Sequence, residues 1–473
     1  MDATLPIVPT LPALPIALPQ WDALLNDFQR TAHSMLADQR QRRAATGERA
    51  ARPETGAGEG LEATLAHFEQ HWQAQFNGSA GPRYFGFVTG GATPAALLGD
   101  WITSLLDQNA MGTADSVAPE LELEALRLFR QIVGLPDAYT GSFVTGATMA
   151  NFVGLVLARQ WVGKQRGINI ASEGMAALGH IPVFSATAHS SIYKGLAMAG
   201  MGRNCLQLIP TLPQREAIDV SKLEAALAAQ TGPCIVVANA GTVNTVDFDD
   251  LAAIAALKQR YSFWLHVDAA FGAFAACSPQ HQHLVAGLDS ADSITIDAHK
   301  WLNVPYDSAV QFTRHLSLQS EIFQNAASYL PQEVSASNFV HLTPENSRRL
   351  RALAAWFTMH AYGRETYTRL VQHHCELAQT LSGWIDGSEL FQRLAETRLN
   401  GLCFTLKTPA GFATTEEINQ FLAALSRDGR AFTTATNYKN QPAVRMNICN
   451  WQTSLADIEI AWQALQENHP FRN

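Results

Sequence analysis

Helical patterns that alternate with short apolar runs constrain the fold of this 473-residue chain more than any other feature. From about Leu121 onward, the runs have the length and composition of buried strands, and they span 181–186, 234–240, 263–267 and 293–296. Such alternation predicts an α/β fold with a mainly parallel sheet covered by helices. Ligands of such sheets bind where the strands end, so the residues just after each run are candidates for a binding site.

The pattern changes along the chain, whose length exceeds what one hydrophobic core supports. Candidate helices over 21–45 and 61–76 follow a proline-rich start, and after Pro344 helices mix with a few strands, such as 402–406 and 443–448. We predict an N-terminal arm with helices, a large α/β domain and a smaller C-terminal α/β domain. The predicted boundaries are 1–80, 81–345 and 346–473.

The prolines near the start recur mostly at every third residue, which is the period of polyproline II. They are Pro6, Pro9, Pro12, Pro15 and Pro19. Two interpretations stay open: a loosely held arm, and an arm that lies across a partner subunit.

Composition and charge restrict the class of function. The net charge of −9 gives no general reason to bind nucleic acid or an anionic membrane. No apolar run reaches the length of about 18 residues that predicts a membrane span. Six scattered cysteines without a CxxC pair argue against a metal site and for a reducing compartment, which we expect to be the cytoplasm.

Asp268 and Lys300 are the most informative pair of candidate catalytic residues. Asp268 follows the run 263–267, and Lys300 closes the segment that follows the next run. A lysine that forms an imine with pyridoxal 5′-phosphate (PLP) works with an acid that keeps the pyridine nitrogen protonated. Adjacent strand ends bring such groups together, and burial favours the neutral amine that imine formation requires. The alternatives are a buried structural acid and a surface lysine.

A candidate phosphate site lies just before the helical run 150–160. Gly146 and Ala147 let a ligand approach the backbone closely, and Thr148 supplies a hydroxyl. Backbone N–H groups at a helix N-terminus suit a phosphate. The alternative is an ordinary helix cap.

Three more residues lie beside these segments. His189 follows the run 181–186, where a neutral imidazole would stack on the pyridine ring and contact a substrate carboxylate; the alternative is a helix-capping or core residue. His299, next to Lys300, would shield the imine or assist proton transfer; the alternative is simple packing. Thr242 follows an apolar run as well.

With these segments in place, the sequence resembles the group II PLP-dependent decarboxylases over roughly residues 80–460. Members include aromatic amino acid, glutamate, histidine and cysteine sulfinate decarboxylases. The resemblance is carried by Asp268-Ala269-Ala270, by Asp297-Ala298-His299-Lys300-Trp301, and by their spacing from His189 and from Gly146-Ala147-Thr148. It implies the PLP-dependent transferase fold type I, with a seven-stranded large domain, and an obligate homodimer with shared active sites.

The resemblance also implies roles for individual residues. Lys300 is expected to be the Schiff-base lysine, Asp268 the partner of the pyridinium and His189 the ring-stacking residue. The other expected cofactor contacts are Gly146, Ala147, Thr148, Thr242, Ala270, Asp297 and His299. Asp297 stands where the family often has asparagine beside the phosphate, so it is expected to orient His299 or the loop instead.

Substrate contacts are less defined. Arg445 resembles an arginine near the substrate carboxylate in glutamate decarboxylase-like members; the alternative is a structural arginine that ties two domains together. Phe87, with Tyr84 and Phe85, fits an aromatic pocket. The stretch Gly86-Phe87-Val88-Thr89-Gly90-Gly91 and the segment Asp107-Gln108-Asn109 nevertheless resemble the glutamate and cysteine sulfinate branch. The sequence leaves the amino acid substrate open.

Two departures from the family pattern bear on the product. Val243 stands where a second threonine is usual after Thr242, which removes one hydroxyl near the cofactor. Phe339 aligns with a loop tyrosine that protonates Cα in aromatic amino acid decarboxylases, and Tyr329 and His341 are alternatives for that role. A missing proton donor favours an aldehyde product over an amine.

Three hypotheses follow from these residues. The first is a decarboxylase that converts an L-amino acid to its amine and carbon dioxide. The second is a PLP-dependent aldehyde synthase or carbon–carbon lyase on the same fold. The third is a catalytically silent PLP-fold protein that acts by binding.

Overall fold

The computed structural model describes residues 21–45, 58, 60–113, 116–325 and 335–472. The chain divides into two compact units, one up to Arg42 and one from Arg43 onward. The first unit contains helix α1 (Trp21–Asp38), which ends earlier than the predicted helix over 21–45. The prolines of the predicted arm lie outside the described residues. Among the described helices, none is long and apolar enough to cross a membrane.

The other helices lie in the second unit. They are α2 (Leu61–His71), α3 (Pro94–Leu106), α4 (Ala118–Val133), α5 (Ala147–Gln165), α6 (Ile170–Glu173), α7 (Met175–Leu178), α8 (Ser190–Met198), α9 (Val220–Ala228), α10 (Leu251–Leu257), α11 (Ala298–Trp301), α12 (Leu316–Phe323), α13 (Ala352–Asp386), α14 (Thr415–Asp428) and α15 (Leu455–Glu467). Short 3₁₀ helices span Gln73–Gln75, Arg203–Cys205, Gly272–Cys277, Gln282–Val285, Leu288–Ser290 and Phe339–His341. Helix α13 is kinked at Gly363, whose φ of 62° is left-handed and suits glycine.

The strands of the described ranges form two sheets. They are β1 (Thr140–Val144), β2 (Val183–Ser185), β3 (Leu206–Leu208), β4 (Cys234–Asn239), β5 (Phe263–Asp268), β6 (Ser293–Asp297), β7 (Ala309–Thr313), β8 (Phe391–Arg393), β9 (Gly401–Thr408), β10 (Gly411–Phe412), β11 (Thr434–Tyr438) and β12 (Gln441–Asn447).

The larger sheet has seven strands in the order β1-β7-β6-β5-β4-β2-β3. Strands β2 to β6 run parallel to one another, and β7 runs antiparallel to both of its neighbours. The predicted mainly parallel seven-stranded sheet is therefore confirmed. Each of the four apolar runs forms one strand, whereas β1, β3 and β7 were not among the predicted runs.

Burial explains why these runs form strands without an alternating pattern. Every residue of β4 and β5 is buried, as expected for parallel strands that are covered on both faces. Since β2, β4, β5 and β6 are parallel, their carboxyl ends lie at one edge of the sheet. His189, Thr242, Asp268 and Lys300 end or follow these strands, so the topology brings them to the same edge.

The smaller sheet has the order β10-β9-β12-β11, with β8 also paired to β9, and is antiparallel throughout. It has its own core, in which Phe404 packs with Phe421 of α14 and Ile458 of α15. The strands predicted over 402–406 and 443–448 are confirmed as β9 and β12. The domain boundaries at 80 and 345 stay predictions.

Candidate active site

A cavity of about 220 Å³ lies at the edge of the larger sheet where the parallel strands end. It brings together eight of the residues that the sequence predicted for the site: Phe87, Ala147, His189, Thr242, Asp268, Ala270, Lys300 and Arg445. Asp297 and His299 adjoin the lysine, and Gly146 and Thr148 adjoin Ala147 at the start of α5.

Lys300 is largely buried on the short helix α11, directly after β6. Its Nζ lies 2.9 Å from Asp297 Oδ2 and 5.6 Å from the centre of the Phe271 ring. Burial lowers the pKa of Lys300, but the nearby carboxylates of Asp297 and Asp268 outweigh it, so the pKa is raised above its ordinary value. Burial alone would have favoured a neutral amine; two acids near the amine reverse the direction.

Asp297 links the lysine to the start of α5. Its Oδ1 accepts a hydrogen bond of 2.6 Å from the backbone N–H of Ala147, while its Oδ2 faces Lys300. The Nε2 atom of His299 lies 3.5 Å from Oδ1. The carboxylate therefore contacts His299, as expected, and also occupies one N–H group of the predicted phosphate site.

The start of α5 has the features of an anion site. Helix α5 begins at Ala147, with Gly146 as its N-cap residue. Among the described residues, neither the backbone N–H nor the hydroxyl of Thr148 has a hydrogen-bond partner. A Cβ at Gly146 would meet only His299, at 3.5 Å, so the approach to the helix end is open. Free donors at a helix N-terminus fit the phosphate of PLP.

Asp268 ends β5 and exposes only 7% of its surface. Its Oδ2 accepts a hydrogen bond of 2.9 Å from Asn151 Nδ2, and its Oδ1 accepts one of 3.3 Å from the N–H of Ala270. A buried carboxylate at a cavity wall is costly without a cationic partner. The protonated pyridine nitrogen of PLP is such a partner, so this end of the cavity fits the cofactor as well.

His189 caps helix α8 and also lines the cavity. Its Nδ1 lies 2.7 Å from Ser191 Oγ, and the N–H of Ser191 points to the same nitrogen at 3.3 Å. Burial, assisted by the positive charges of Lys300 and Arg445, lowers the pKa of His189, against an opposing effect of Asp268. The imidazole is therefore neutral at pH 7, as stacking on a pyridinium requires.

The hydroxyl of Thr242 is directed to a buried acid. It donates to Glu216 Oε2 at 2.5 Å and accepts from the N–H of Asp247 at 2.9 Å. Glu216 also accepts from the hydroxyl of Thr245 and the amide of Asn244. Thr242 thus lines the cavity while its hydroxyl holds the surrounding loop together. Glu216 stands outside every motif, so sequence reasoning did not identify it.

His299 packs against Tyr306, with ring centres 4.2 Å apart. Its Nδ1 accepts from the N–H of Ser308 at 3.3 Å, and burial is the main reason that its pKa is lowered. The hydroxyl of Tyr306 lies 3.3 Å from Thr89 Oγ1. Packing of His299 is therefore observed, and Tyr306 is a neighbour that the motifs did not indicate.

Phe87 and Arg445 reach the cavity from outside the larger sheet. Phe87 is 55% exposed and its ring lies 6.0 Å from Phe432, which stacks on Tyr84 at 4.5 Å. Arg445 of β12 donates from Nη1 to the carbonyl of Val243 at 3.2 Å, and from Nε to Thr434 at 3.0 Å. Arg445 therefore joins β12 to the loop after β4, as the structural alternative expected, and still borders the cavity.

Phe339 is not at the cavity, and its expected substrate contact is wrong for this conformation. The side chain is fully buried and packs 4.7 Å from the guanidinium of Arg348, which is itself buried against Glu122. His341 is buried too, and its Nδ1 accepts from the N–H of Asn325. Tyr329 lies outside the described residues. Neither Phe339 nor His341 is placed to replace a loop tyrosine.

Comparisons with known proteins agree with this geometry. Residues 50–407 match the family model described as the pyridoxal-dependent decarboxylase conserved domain. An aromatic-L-amino-acid decarboxylase of Bacillus atrophaeus is 27% identical over 80% of this chain and 79% of its own length. Tryptophan decarboxylase 1 of Oryza sativa is 25% identical over 84% and 80%.

Two solved structures are similar in fold. The crystal structure of Oryza sativa TDC with PLP and tryptamine has a TM-score of 0.86, at 22% identity, and covers 98% of this chain and 100% of that one. The crystal structure of mouse CSAD also has a TM-score of 0.86, at 23% identity, and covers 95% and 98%. These similarities establish the fold.

Proposed function

The chain belongs to the pyridoxal-dependent decarboxylase family, and on that premise we propose that it converts an aromatic L-amino acid to its amine and carbon dioxide. It is a PLP-dependent enzyme that decarboxylates an amino acid. The observation that carries the proposal is the meeting of Lys300, Asp268 and the neutral His189 around one cavity.

Each residue has a proposed task. When bound, PLP supplies an electron sink for the pair of electrons left at Cα as carbon dioxide departs. Lys300 supplies the amine that holds the cofactor covalently, and Asp268 holds the positive charge of the pyridine nitrogen. Gly146 and Thr148, with Ala147, hold the phosphate at the start of α5. His189 and Ala270, which both line the cavity, would contact the ring of the cofactor.

Substrate binding is proposed to involve the rim of the cavity. Arg445 and Lys300 are the lining side chains that are cationic at neutral pH among the described residues. If Arg445 binds the α-carboxylate and Lys300 holds the cofactor, no other cation of that lining is left for an acidic side chain. Phe87, with Phe432 and Tyr84 behind it, offers an aromatic surface instead. This favours an aromatic substrate over glutamate or cysteine sulfinate. Curated relatives are named aromatic-L-amino-acid, tryptophan and tyrosine decarboxylases.

The assembly is proposed to be a homodimer. Helix α3 exposes Leu98, Leu105 and Leu106 at 48%, 82% and 50%, an apolar surface that suits burial against a second copy of the chain. The cytoplasm is the proposed location, since all six cysteines are free and buried. Light scattering coupled to size-exclusion chromatography should give the mass of two chains, and a monomer mass would refute the dimer.

The aldehyde synthase alternative is less supported than the decarboxylase, because the curated relatives are named as decarboxylases. It rested on Phe339 in place of a proton-donating tyrosine, and Phe339 is buried away from the cavity. Tyr329 lies outside the described residues, and the proposed product is an amine because the curated relatives are named as decarboxylases.

A panel of the common L-amino acids tests the function. Carbon dioxide, amine, aldehyde, ammonia and hydrogen peroxide should be measured with purified holoenzyme. We expect aromatic substrates to give amine and carbon dioxide in equal amounts. A preference for acidic substrates would refute the proposed specificity, and aldehyde with ammonia would favour the alternative. No carbon dioxide from any amino acid would refute the proposed function itself.

A further inference from the structure

Asn151 is the centre of a hydrogen-bond chain beneath the cavity. It is fully buried on α5. Its Nδ2 lies 2.9 Å from Asp268 Oδ2 and 3.0 Å from Ser191 Oγ. Its Oδ1 lies 2.9 Å from His266 Nε2. One amide group therefore contacts Asp268 directly and reaches His189 through Ser191.

The direction of these bonds follows from what each group is able to donate. A carboxylate only accepts, so the Asn151 atom that faces Asp268 is the amide nitrogen, and the amide oxygen faces His266. That oxygen only accepts, so His266 donates from Nε2. Burial lowers the pKa of His266 to about 4, so the ring is neutral and its Nδ1 accepts from the hydroxyl of Ser293, 2.8 Å away. Ser293 accepts in turn from Trp264 Nε1 at 2.9 Å.

The same reasoning continues from Asn151 toward the cavity. The second amide proton of Asn151 points to Ser191 Oγ, so the hydroxyl proton of Ser191 points to His189 Nδ1. The backbone N–H of Ser191 is directed to that nitrogen as well. Since Nδ1 accepts, the single proton of a neutral His189 lies on Nε2.

The chain is built into the surrounding packing. Trp264, His266 and Asp268 alternate along β5, so their side chains share one face of the strand. On α5, Gly154 lies against His266: a Cβ at that position would come within 2.5 Å of the imidazole. The absence of a side chain at Gly154 is thus what lets His266 reach Asn151.

We propose that Asn151 is a positioning residue of this decarboxylase, which holds Asp268 in place and, through Ser191, fixes His189 as a hydrogen-bond donor from Nε2. The inference rests on the proposed function, because Asp268 and His189 are the groups that meet cofactor and substrate there. A substrate carboxylate is an acceptor, so a donor at this position of the cavity binds it, whereas the other tautomer would present a lone pair to it.

Neutron crystallography of the deuterated wild-type holoenzyme tests the proton positions directly. We expect density for a deuteron on Nε2 of both His189 and His266, and none on either Nδ1. A deuteron on His189 Nδ1 would overturn the proposal. The map does not depend on turnover, so an enzyme that is inactive on every amino acid would refute the proposed function and leave this result standing.

Asn151 has two hydrogen-bonded arms, one to Asp268 and one through Ser191 to His189, and variants test them separately. Asn151→Leu removes both arms, and we expect it to weaken PLP binding to the apoenzyme about tenfold or more and to lower kcat as well, because Asp268 loses a buried hydrogen bond. Ser191→Ala removes only the arm to His189, and we expect it to lower kcat about tenfold while PLP affinity stays within about twofold. PLP affinity should be measured by absorbance titration and kcat by amine release.

The matched control is Asn400→Leu, which removes a fully buried asparagine whose amide donates to the carbonyl of Ile448 in the smaller sheet. We expect PLP affinity and kcat to be unchanged in folded Asn400→Leu. If Asn151→Leu behaves like this control, or if Ser191→Ala changes PLP affinity as much as kcat, Asn151 has no positioning role. If Asn151→Leu does not fold, Ser191→Ala and the neutron map still decide whether the proposed positioning of His189 is correct.

Discussion

Asp297 bridges Lys300 and the N-terminus of α5, with one carboxylate oxygen 2.9 Å from the lysine Nζ and the other 2.6 Å from the Ala147 nitrogen. The same acid thus raises the pKa of the lysine and occupies a donor that suits the cofactor phosphate. We expect Asp297→Asn to bind PLP several-fold more tightly, because it removes a negative charge beside the proposed phosphate site. Titration of the apoenzyme with PLP measures this, with the exposed Asp137→Asn as a charge-matched control. Weaker binding in Asp297→Asn would show that the phosphate lies elsewhere.

Lys300→Ala should abolish both turnover and covalent attachment of PLP, because it removes the amine that is proposed to form the imine. Borohydride reduction followed by peptide mapping measures attachment independently of activity. The exposed Lys194→Ala is the control and should retain a labelled Lys300 peptide. A label that persists in Lys300→Ala at another lysine would contradict the assignment.

Arg445→Gln tests the proposed contact with the substrate carboxylate. Loss of a charge-assisted hydrogen bond should raise KM about tenfold or more, with a smaller change in kcat. Steady-state kinetics on the best substrate of the panel give both constants. Arg393→Gln, which loses a surface pair with Asp386, should leave both unchanged. An unchanged KM in Arg445→Gln would leave Arg445 with only a structural role, through its hydrogen bonds to Val243 and Thr434.

Gly90→Ala tests how closely the segment that carries Phe87 approaches the lysine. A Cβ at Gly90 would come within 1.7 Å of the carbonyl oxygen of Lys300, so backbone has to move. We expect a loss of about 1–3 kcal/mol in the free energy of unfolding, and weaker PLP binding. Gly383→Ala, at an exposed position of α13 where a Cβ meets nothing within 4 Å, should be neutral or slightly stabilising. Equal effects in the two variants would contradict a close approach.

His374 should make the folded state sensitive to acid. Its Nδ1 accepts from the indole of Trp301 and its Nε2 donates to the carbonyl of Asn450, and burial lowers its pKa to about 3. Between about pH 6.5 and 3 the unfolded chain binds a proton at His374 that the folded chain does not. Stability contributed by His374 is therefore lost as the pH falls through this window, by about 1.4 kcal/mol per pH unit at most.

Denaturant unfolding at several pH values measures this slope. We expect His374→Asn to flatten it, whereas the exposed His180→Asn should leave it as in the wild type. A slope that is the same in all three proteins would mean that other groups cause the loss at low pH.

The residues at the strand ends were predictable because the runs that form the strands are recognisable in the sequence. Asp268 and Lys300 follow short runs rich in aromatic and β-branched residues, which favour strands, and parallel neighbours end at the same edge. Asn151 and His266 were not recognised, although a signal existed. Asn151 lies four residues after Ala147, on the same face of α5, and His266 lies two residues before Asp268, on the same face of β5.

Other contacts had no local signal. The placement of Phe339 depends on Arg348, whose buried pairing with Glu122 joins residues that are distant in the sequence. The direction of the pKa shift of Lys300 likewise depends on the distance to Asp297 and Asp268, which spacing along the chain does not give. Alignment with a family loop therefore assigned a role to Phe339 that packing rules out in this conformation.

The contact between Gly90 and the Lys300 carbonyl bears on how new specificities arise in such a scaffold. The segment proposed to meet the side chain of a substrate contacts, at Gly90, the backbone of the lysine that is proposed to hold the cofactor. Substitutions that alter substrate preference are therefore better tolerated at the exposed ring of Phe87, whereas a larger residue at position 90 would displace the backbone of Lys300 for every substrate at once.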